Sequence, residues 1–412
     1  MKFLEDLAAR RRFGMKPGLE GMTALCAALG NPEHRLRIVH VAGTNGKGAV
    51  TAILDAALRA AGRRVGRYTS PHLVRLNERF FLDGTPMSDA ALEFAATEVA
   101  AAAATLACDI TFFEALTATA FVAYARQAVD ELVLETGLGG RLDATNVCTS
   151  RLSVITRIGL DHCDWLGRTL PEIAAEKAGI IKSGVPVVVG RNEPEAVEVI
   201  ARTARQKSAP FLYAPDLVRE EEIPADFSLA GGFNRENAVT AMAALKVLLG
   251  AGETFARAKA AFGSVVWPGR FQRVGAVIVD GAHNPPAATA LAASLGAYGP
   301  LNLVAGFCGD KDVETVLGTL APHIRRGFAV RTNNPRSLTA DETAVRMRRA
   351  GIAAEPCADL KTALAKATDG ACDGEVRALV CGSLFLAGEA LVALGAYPWP
   401  SDRFDPAETL RA

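Results

Sequence analysis

The sequence predicts an α/β protein of two domains, each built on a mostly parallel sheet with helices around it. The chain has 412 residues, and at roughly 100 to 200 residues per domain such a length suits two or three domains. Short β-branched runs alternate with longer Ala- and Leu-rich segments, which is the pattern of strands alternating with helices. A Pro-Gly pair at 268–269 interrupts this alternation and divides it into two series.

The first series begins with a strand over 37–42, which leads through a Gly-rich turn to a helix ending near Ala61. Four further strands are predicted over 65–68, 131–135, 153–158 and 185–189, and a helix over 171–180. Residues 1–14 do not suit a signal peptide, because Glu5 and Asp6 stand where a signal peptide needs an apolar core. They predict a short amphipathic helix instead.

The second, smaller series predicts strands over 274–280, 302–305, 328–331 and 378–381. Asn284 followed by Pro285 suits the N-terminus of a helix, since asparagine caps helices and proline is favoured at the first helical position. We therefore predict domains over 1–268 and 274–412, joined by a linker over 269–273.

Charge and cysteine content exclude several classes of protein. Lys and Arg number 45, as do Asp and Glu, so the formal net charge is zero and no global positive field would attract nucleic acid or a membrane surface. The eight cysteines are scattered without a CxxC pair, which predicts buried free thiols in a reducing compartment. We expect a cytoplasmic protein, and a monomer because nothing in the chain suggests an obligate assembly.

The most informative motif is the loop GTNGKG at 43–48, between a buried strand and a helix. Glycines let the backbone approach an anion, the helix N-terminus offers unpaired N–H groups, and Lys47 adds a positive charge. The loop departs from the G-x-x-x-x-G-K-[ST] pattern, because Val41 stands at the first glycine position and Gly48 follows the lysine. It predicts a polyphosphate site.

Glu135 is the best candidate for a metal ligand from its position alone. It ends a predicted strand at the carboxyl edge of the sheet, where ligands bind in open α/β folds, and Mg²⁺ prefers carboxylate oxygens. Other polar residues have ordinary structural explanations. Ser70 suits a turn before Pro71, His162 suits a surface histidine as well as it suits a ligand, and Lys177 suits a solvated helical lysine.

Nine blocks of the sequence resemble, in register, the folylpolyglutamate synthase and dihydrofolate synthase family of the Mur ligase superfamily, and its bifunctional bacterial members in particular. The blocks are GTNGKG at 43–48, YTSPHL at 68–73, LETGLGGRLDATN at 134–146, LDHCDWLG at 160–167, EKAGIIK at 176–182, PGRFQ at 268–272, DGAHNP at 280–285, DKD at 310–312 and CGSLFLAG at 381–388. This resemblance implies an N-terminal Mur-ligase-type P-loop ATPase domain and a smaller, Rossmann-like C-terminal domain.

The resemblance also implies an activity, that of an ATP-dependent amide ligase. Such an enzyme adds L-glutamate to dihydropteroate, and to the γ-carboxyl of reduced folates, through an acyl phosphate. ATP and Mg²⁺ are implied, and a monovalent cation is left open. A monofunctional folylpolyglutamate synthase, another Mur-type ligase and a nucleotide-switch NTPase remain alternatives.

The resemblance assigns residues to each part of the site. Catalytic roles fall to Lys47, Lys177, His162 and His283. ATP-binding roles fall to Gly43, Thr44, Asn45, Gly46, Lys47, Gly48, Asn237, Arg270 and Asp280. Ser70 and Glu135 would hold one metal ion, and His162 would join Glu135 at a second. Folate would meet Phe112, Phe113 and Asp143, and glutamate would meet His283 and Ser383. A carbamylated Lys177 is expected. From the residues alone, one of the two phenylalanines packs in the core and Asp143 caps a loop.

Two residues depart from the family pattern. Ala49 stands where a Ser or Thr usually follows GKG, and Thr51 is displaced from that position. Asn234 replaces the longer Gln that usually precedes the adenine-side Asn237 by three residues. The missing hydroxyl at Ala49 predicts slower turnover or weaker ATP binding without loss of activity, and the shorter amide of Asn234 predicts a shorter reach toward the adenine. Residues 16–19 match the family's pterin-side loop only loosely.

Overall fold

The computed structural model describes residues 18–372 and 374–399, which form two sheets. The amphipathic helix expected over 1–14 lies outside the described residues, as do Lys16 and Pro17 of the loosely matched pterin-side loop. The predicted α/β fold with two mostly parallel sheets is confirmed. No helix in the described part of the chain is both long and apolar enough to span a bilayer.

The first sheet has the strand order β4-β3-β2-β5-β1-β6-β7-β8, parallel except for β3 and β4 at one edge. Its strands are β1 Ile38–Ala42, β2 Val65–Tyr68, β3 Phe80–Leu82, β4 Thr85–Pro86, β5 Glu131–Glu135, β6 Ser150–Ile155, β7 Val187–Val189 and β8 Phe211–Tyr213. The second sheet has the order β13-β12-β11-β14-β10-β9, with only β9 antiparallel. Its strands are β9 Gln272–Val274, β10 Val277–Val279, β11 Leu301–Ala305, β12 Ile324–Ala329, β13 Ala354–Pro356 and β14 Ala378–Cys381.

Helices cover both sheets. Those of the first domain are α1 Glu20–Ala28, α2 Lys47–Ala60, α3 Asp89–Ala103, α4 Phe112–Arg126, α5 Cys163–Leu166, α6 Leu170–Ala178, α7 Pro194–Gln206, α8 Ala214–Leu217, α9 Gly232–Leu249 and α10 Glu253–Ala260. Those of the second are α11 Pro285–Leu295, α12 Val313–Leu320, α13 Ala340–Arg349, α14 Leu360–Thr368 and α15 Leu384–Ala393. Short 3-10 helices cover Pro32–Arg35, Leu76–Arg79, Ala144–Val147, Glu220–Glu222, Ala261–Ser264 and Ala321–His323.

The central strand β1 is buried on both faces, as expected for a parallel sheet between helices. Val39 and Val41 belong to the core that contains α2 and α9, whereas Ile38 belongs to the core on the other side with α1 and α4. Alternate side chains of a strand point to opposite faces, so β1 packs against a layer on each side. Its carboxyl end, and the loop that follows, therefore lie between two packed layers.

Several predicted strands have different bounds in the structure. The strand predicted over 153–158 is wrong at both ends and runs over Ser150–Ile155, because its partner β1 ends at Ala42 and pairs with Ile155. The strand predicted from 185 begins at Val187, after Pro186, which has no N–H to donate. The strand predicted over 274–280 is a hairpin of β9 and β10, which turns at Gly275 with φ +56°.

The sequence pattern missed β3, β4, β8 and β13. Each has two or three residues and lies at or near a sheet edge, and so short a run shows little alternating pattern. The expected free thiols are confirmed: all eight cysteines are free, and five are buried.

One loop of the first domain is buried in the core of the second. Leu73 and Val74 follow β2 and belong to the same hydrophobic cluster as Val279 of β10 and Leu386 of α15. A Cβ atom on Gly388 of α15 would lie 2.5 Å from the carbonyl oxygen of Leu73. The glycine therefore permits a close approach, and the domains are joined by apolar contact as well as by the chain.

Replacing Gly388 with alanine is expected to destabilise the protein by about 2 kcal/mol, because the new methyl group must displace a buried loop. Gly318 is a matched control, since it is also helical but a Cβ atom there would meet no other atom within 4 Å. Gly318→Ala should stabilise by about 0.5 to 1 kcal/mol through helix propensity. Urea unfolding of both variants checks the prediction, and equal stabilities would show that the interface tolerates the methyl group.

Candidate functional site

The loop after β1 is held in place by the backbone that follows β6. The amides of Thr44 and Asn45 donate to the Arg157 carbonyl at 2.8 and 3.2 Å, and the Thr156 hydroxyl donates to the Asn45 carbonyl at 2.8 Å. These bonds fix the first half of the loop. The second half leads directly into α2, whose first residue is Lys47.

The N-terminus of α2 is arranged to receive an anion. Gly46 precedes it with φ +88°, and no side chain of the described residues caps the helix there. The first amides of a helix have no partner within it, so they are available to a phosphate. The Lys47 ammonium folds back over the loop and donates to the Gly43 carbonyl at 3.1 Å.

Two glycines of this loop are required by close neighbours. A Cβ atom on Gly46 would lie 2.2 Å from Asn237 Oδ1, and one on Gly48 would lie 2.1 Å from the ring of Trp267. Asn237 is on α9 and Trp267 precedes the predicted linker. The expected adenine-side asparagine therefore lies against the phosphate loop.

Gly46→Ala is expected to raise the Kd for ATP at least about tenfold, because the clash with Asn237 deforms the loop. Gly62→Ala is the matched control, since Gly62 has nearly the same backbone angle, φ +84°, but open space around it. Both variants should lose about 1 kcal/mol of stability through backbone strain. Calorimetric titration with ATP and thermal unfolding separate the two effects; equal affinities would contradict the prediction.

Glu135, the last residue of β5, has a buried carboxylate close to the Lys47 ammonium. Its Oε1 lies 4.0 Å from Lys47 Nζ, and its Oε2 accepts a 3.4 Å hydrogen bond from the Ser70 amide. Burial raises the pKa of Glu135 to about 7, against the opposing effects of Lys47, the Ser70 amide, Arg270 and Arg67. The free-energy cost of desolvating the charged carboxylate therefore exceeds the stabilisation from these partners, and a bound cation would reduce that cost.

Lys177 is buried beneath the same loop, so the solvated lysine suggested by the residues alone is wrong. Its Nζ atom donates to the Gly43 carbonyl at 2.8 Å. Burial, followed by the nearby charge of Lys47, lowers the pKa of Lys177 to about 7. A large fraction of this amine is therefore neutral and nucleophilic near neutral pH.

Arg270, in the predicted linker, lies near Asp280 of the second domain. The Asp280 carboxylate accepts from the Phe271 and Ala282 amides, both at 2.7 Å, and so fixes the turn that carries Arg270. Burial lowers the pKa of Arg270, while Asp280 and Glu135 oppose that shift. The guanidinium thus lies within electrostatic reach of the Glu135 carboxylate of the first domain.

His283 and Ser383 lie on neighbouring strand-to-helix turns of the second domain. His283 Nδ1 is 2.8 Å from the Gly281 carbonyl, which can only accept, so Nδ1 carries the proton and Nε2 is an acceptor. Burial, then Lys311, lowers the pKa of His283 to about 4 and keeps the ring neutral. The Ser383 hydroxyl caps α15 by accepting from the Phe385 amide at 3.1 Å.

Asp161 joins the two domains across the cleft. Its Oδ2 accepts from Asn284 Nδ2 at 2.7 Å, and its Oδ1 lies 3.5 Å from Lys311 Nζ. Asn284 also caps α11, as predicted, by accepting from the Ala287 amide. Asp161 and Lys311 both lie in blocks of the family resemblance. The sequence pattern did not single them out as site residues, because nothing in it indicates that the two side chains face each other.

The donors around Glu135 suit a Mg²⁺ ion that is held partly by phosphate and water. The described residues contain no cluster of three His, Cys, Asp or Glu side chains that could hold a metal unaided. Mg²⁺ usually takes one or two carboxylates and leaves its other positions to phosphate and water, so Glu135 with the Ser70 hydroxyl fits it. His162 lies on the exposed side, 40% accessible, with Nε2 3.8 Å from Asp161 Oδ1.

The expected folate residues lie at the start of α4 and in the loop after β5. Phe112 and Phe113 begin α4 and are half-buried, with the Phe113 ring packed against Gly137. The Asp143 carboxylate accepts from the Leu138 amide at 2.8 Å and the Thr145 amide at 3.0 Å. Asp143 therefore has the capping role that its local sequence suggests, whatever else it binds.

Both departures from the family pattern are visible in the structure. The Thr51 hydroxyl donates to the Gly48 carbonyl inside α2 at 2.8 Å, so it does not replace the hydroxyl missing at Ala49. Asn234 is buried and its Nδ2 donates to the Ala230 carbonyl at 2.6 Å. Its Oδ1 has no hydrogen-bond partner among the described residues.

Comparisons with known proteins agree with the fold described above and with the family resemblance of the sequence. Residues 269–384 match the Mur ligase, glutamate ligase domain. The chain is 40% identical over 316 residues to the dihydrofolate synthase/folylpolyglutamate synthase of Bacillus subtilis (strain 168), covering 69% of this chain and 74% of that protein. It superposes with a TM-score of 0.87 on Mycobacterium tuberculosis folylpolyglutamate synthase complexed with ADP, at 32% identity over 97% of this chain and 99% of that one.

A second similar structure contains a divalent metal. It is the bifunctional folylpolyglutamate synthase/dihydrofolate synthase from Yersinia pestis, complexed with AMPPNP and a Mn ion. Its TM-score is 0.83 at 30% identity, over 96% of this chain and 97% of that one.

Proposed function

Since this chain belongs to the folylpolyglutamate synthase and dihydrofolate synthase family, we propose that it is an ATP-dependent ligase that adds L-glutamate to dihydropteroate and to the γ-carboxyl of reduced folates. The observation that carries the proposal is the cleft around Glu135. There the Lys47 ammonium lies 4.0 Å from one oxygen of a buried carboxylate, and the charge of Arg270, in the predicted linker, also lowers the pKa of that carboxylate. Positive charge from two parts of the chain therefore acts on one group, as transfer between anionic substrates requires.

The chemistry explains why such a cleft is needed. A carboxylate does not react directly with an amine, because oxide is a poor leaving group. Transfer of the ATP γ-phosphoryl group forms a bond from phosphorus to a folate carboxylate oxygen and breaks the bond to ADP. The glutamate amine then attacks the acyl carbon, the C–N bond forms, phosphate leaves and the nitrogen loses its proton. Positioning and electrostatic stabilisation provide most of the catalysis in such reactions.

In this proposal the first domain holds the phosphates. The amides of 43–48 and the Lys47 ammonium bind them, Arg270 reaches them from the linker, and Asn237 lies on the adenine side. The Asp280 carboxylate, which already fixes its own turn, meets the ribose. Mg²⁺ would be held by Ser70 and Glu135, with His162 joining Glu135 at a second ion, and would neutralise phosphate charge.

The second domain binds the incoming glutamate through His283 and Ser383. The neutral His283 ring supports this role, because its Nε2 atom can accept a hydrogen bond from the glutamate ammonium. The Asp161 bridge to Asn284 and Lys311 supports closure of the cleft, which would protect a hydrolysable acyl phosphate from water. Phe112, Phe113 and Asp143 face the folate.

Phosphate release tests this proposal. Purified protein with Mg-ATP and glutamate would be given dihydropteroate, tetrahydrofolate or no acceptor. We expect release only with an acceptor, together with a glutamylated product by mass spectrometry. Release at the full rate without an acceptor would contradict ligase activity and favour a nucleotide-switch NTPase.

The same assay decides between the bifunctional and the monofunctional enzyme. Activity with both dihydropteroate and tetrahydrofolate is expected, in agreement with the name of the B. subtilis relative. Activity with tetrahydrofolate alone would favour a monofunctional folylpolyglutamate synthase.

A further inference from the structure

The C-terminal segment of the second domain returns to the first domain beside the predicted metal site. After α15 the chain turns at Gly395, with φ +65°, and reaches the 3-10 helix Leu76–Arg79 and strand β3. The Tyr397 hydroxyl donates to Glu78 Oε1 at 2.6 Å, across 319 residues of sequence. The Trp399 ring packs edge-on against Phe81 at a centroid distance of 5.0 Å.

Glu78 organises the loop that follows β2. Its buried carboxylate accepts the amide of Leu73 at 2.8 Å, that of Val74 at 2.7 Å and that of Arg75 at 2.6 Å. Three successive amides converging on one carboxylate fix a loop of irregular backbone. Tyr397 supplies the fourth hydrogen bond to this carboxylate, and it is the one that comes from the second domain.

The same loop begins at the predicted metal site. Ser70, three residues before Leu73, donates its amide to Glu135, and the side chains of Leu73 and Val74 are buried in the core of the second domain. The loop therefore has one end at Glu135 and the other held between the domains. A change in its conformation would move the Ser70 hydroxyl relative to Glu135.

We propose that Tyr397 is a positioning residue, which acts through Glu78 to hold the loop 70–75 with Ser70 beside Glu135 when the two domains are together. This inference rests on the proposed function for the role of Ser70. Tyr397 touches no expected substrate. It transmits the position of the second domain to the site through one hydroxyl group.

Tyr397→Phe tests the proposal, because it removes only the hydroxyl and keeps the ring that packs against Trp399. Loss of a hydrogen bond to a buried carboxylate is expected to speed amide exchange of residues 73–75 about tenfold. The Kd for Mg-ADP should rise about five- to tenfold by the same loss. Tyr213→Phe is the matched control, since Tyr213 ends β8 at the opposite edge of the sheet, and it should change neither quantity.

Both measurements use the full chain without turnover, so they test Tyr397 even if phosphate release contradicts the proposed ligase. Unchanged exchange at 73–75, or an unchanged Kd for Mg-ADP, would overturn the positioning role. In the active enzyme, kcat/KM for Mg-ATP should fall while KM for the folate stays within about twofold. A purely structural role would lower Tm and leave these constants unchanged at temperatures where the variant is folded.

Discussion

Glu135→Ala is expected to lower the rate of phosphate release by roughly 10²- to 10³-fold or more with either folate acceptor. The substitution removes the buried carboxylate that lies 4.0 Å from Lys47 and that is the proposed metal ligand. Glu135→Gln should lose activity to a similar extent, because an amide keeps the shape of the side chain but not its charge. Steady-state kinetics at saturating Mg-ATP measure the effect.

Replacing Glu135 should not lower stability as it lowers activity. Burial raises the pKa of Glu135 to about 7, so folding costs free energy where the free carboxyl is already ionised. The folded chain binds more protons than the unfolded chain between the ordinary pKa and about 7, so this group's contribution to stability falls as pH rises through that range. Glu135→Gln removes the penalty, and its Tm above pH 7 should equal or exceed that of the parent chain.

Glu131→Gln is the control for this experiment. Glu131 begins the same strand, is also buried, and pairs with Arg151 and Arg37 at the opposite end of the sheet. Its loss should lower Tm without changing kcat. Retained activity in Glu135→Ala, or equal loss of activity in Glu131→Gln, would refute the role of Glu135.

Lys177→Met is expected to lower kcat by roughly 10²-fold or more, through loss of a carbamate that we propose on Lys177. In carbamylation the neutral amine attacks the carbon of CO₂, an N–C bond forms, one C=O π bond becomes a carboxylate and the nitrogen releases a proton. Lys177 is suited to this reaction because burial, then Lys47, lowers its pKa to about 7. The product replaces a buried cation with an anion beside Lys47.

Nuclear magnetic resonance with ¹³C-bicarbonate measures this modification directly. At fixed dissolved CO₂ the carbamate signal should grow from about pH 6 to about pH 8, because the neutral amine fraction rises through the pKa of Lys177. Lys182→Met is the control: Lys182 is a partly buried lysine that donates to Asn146, away from the phosphate loop. Persistence of the signal in Lys177→Met, or its absence from the parent chain, would exclude carbamylated Lys177.

The sequence predicted the interior of the fold better than its edges. The bounds of β2, β5 and β14 agree with the prediction. In β14 and in the middle of β5 the residues form a continuous apolar run, which is typical of buried parallel strands. The hairpin of β9 and β10 was missed, because Gly275 and Ala276 fit within an apolar run and only the return of β9 along β10 shows the turn. Short edge strands such as β13 are formed by pairing with a neighbour and leave little pattern in the sequence.

The residues of the candidate site also differ in how far the sequence could predict them. Residues in contiguous motifs, such as Lys47 in its loop and Glu135 at its strand end, could be predicted because their chemistry is expressed locally. Asp161 was missed as an interdomain bridge, because its partners Asn284 and Lys311 lie more than a hundred residues away and only folding brings them together.

By itself the sequence determined the α/β class, the division into two domains, the phosphate loop and the family resemblance, all of which depend on residue order within short segments. Only the tertiary structure decided that Lys177 is buried, that Glu135 has a raised pKa and that Tyr397 reaches Glu78. Those properties depend on desolvation and on distances between segments remote in sequence. They arise when the layers pack, because burial raises the free energy of a charged side chain relative to the same side chain in water.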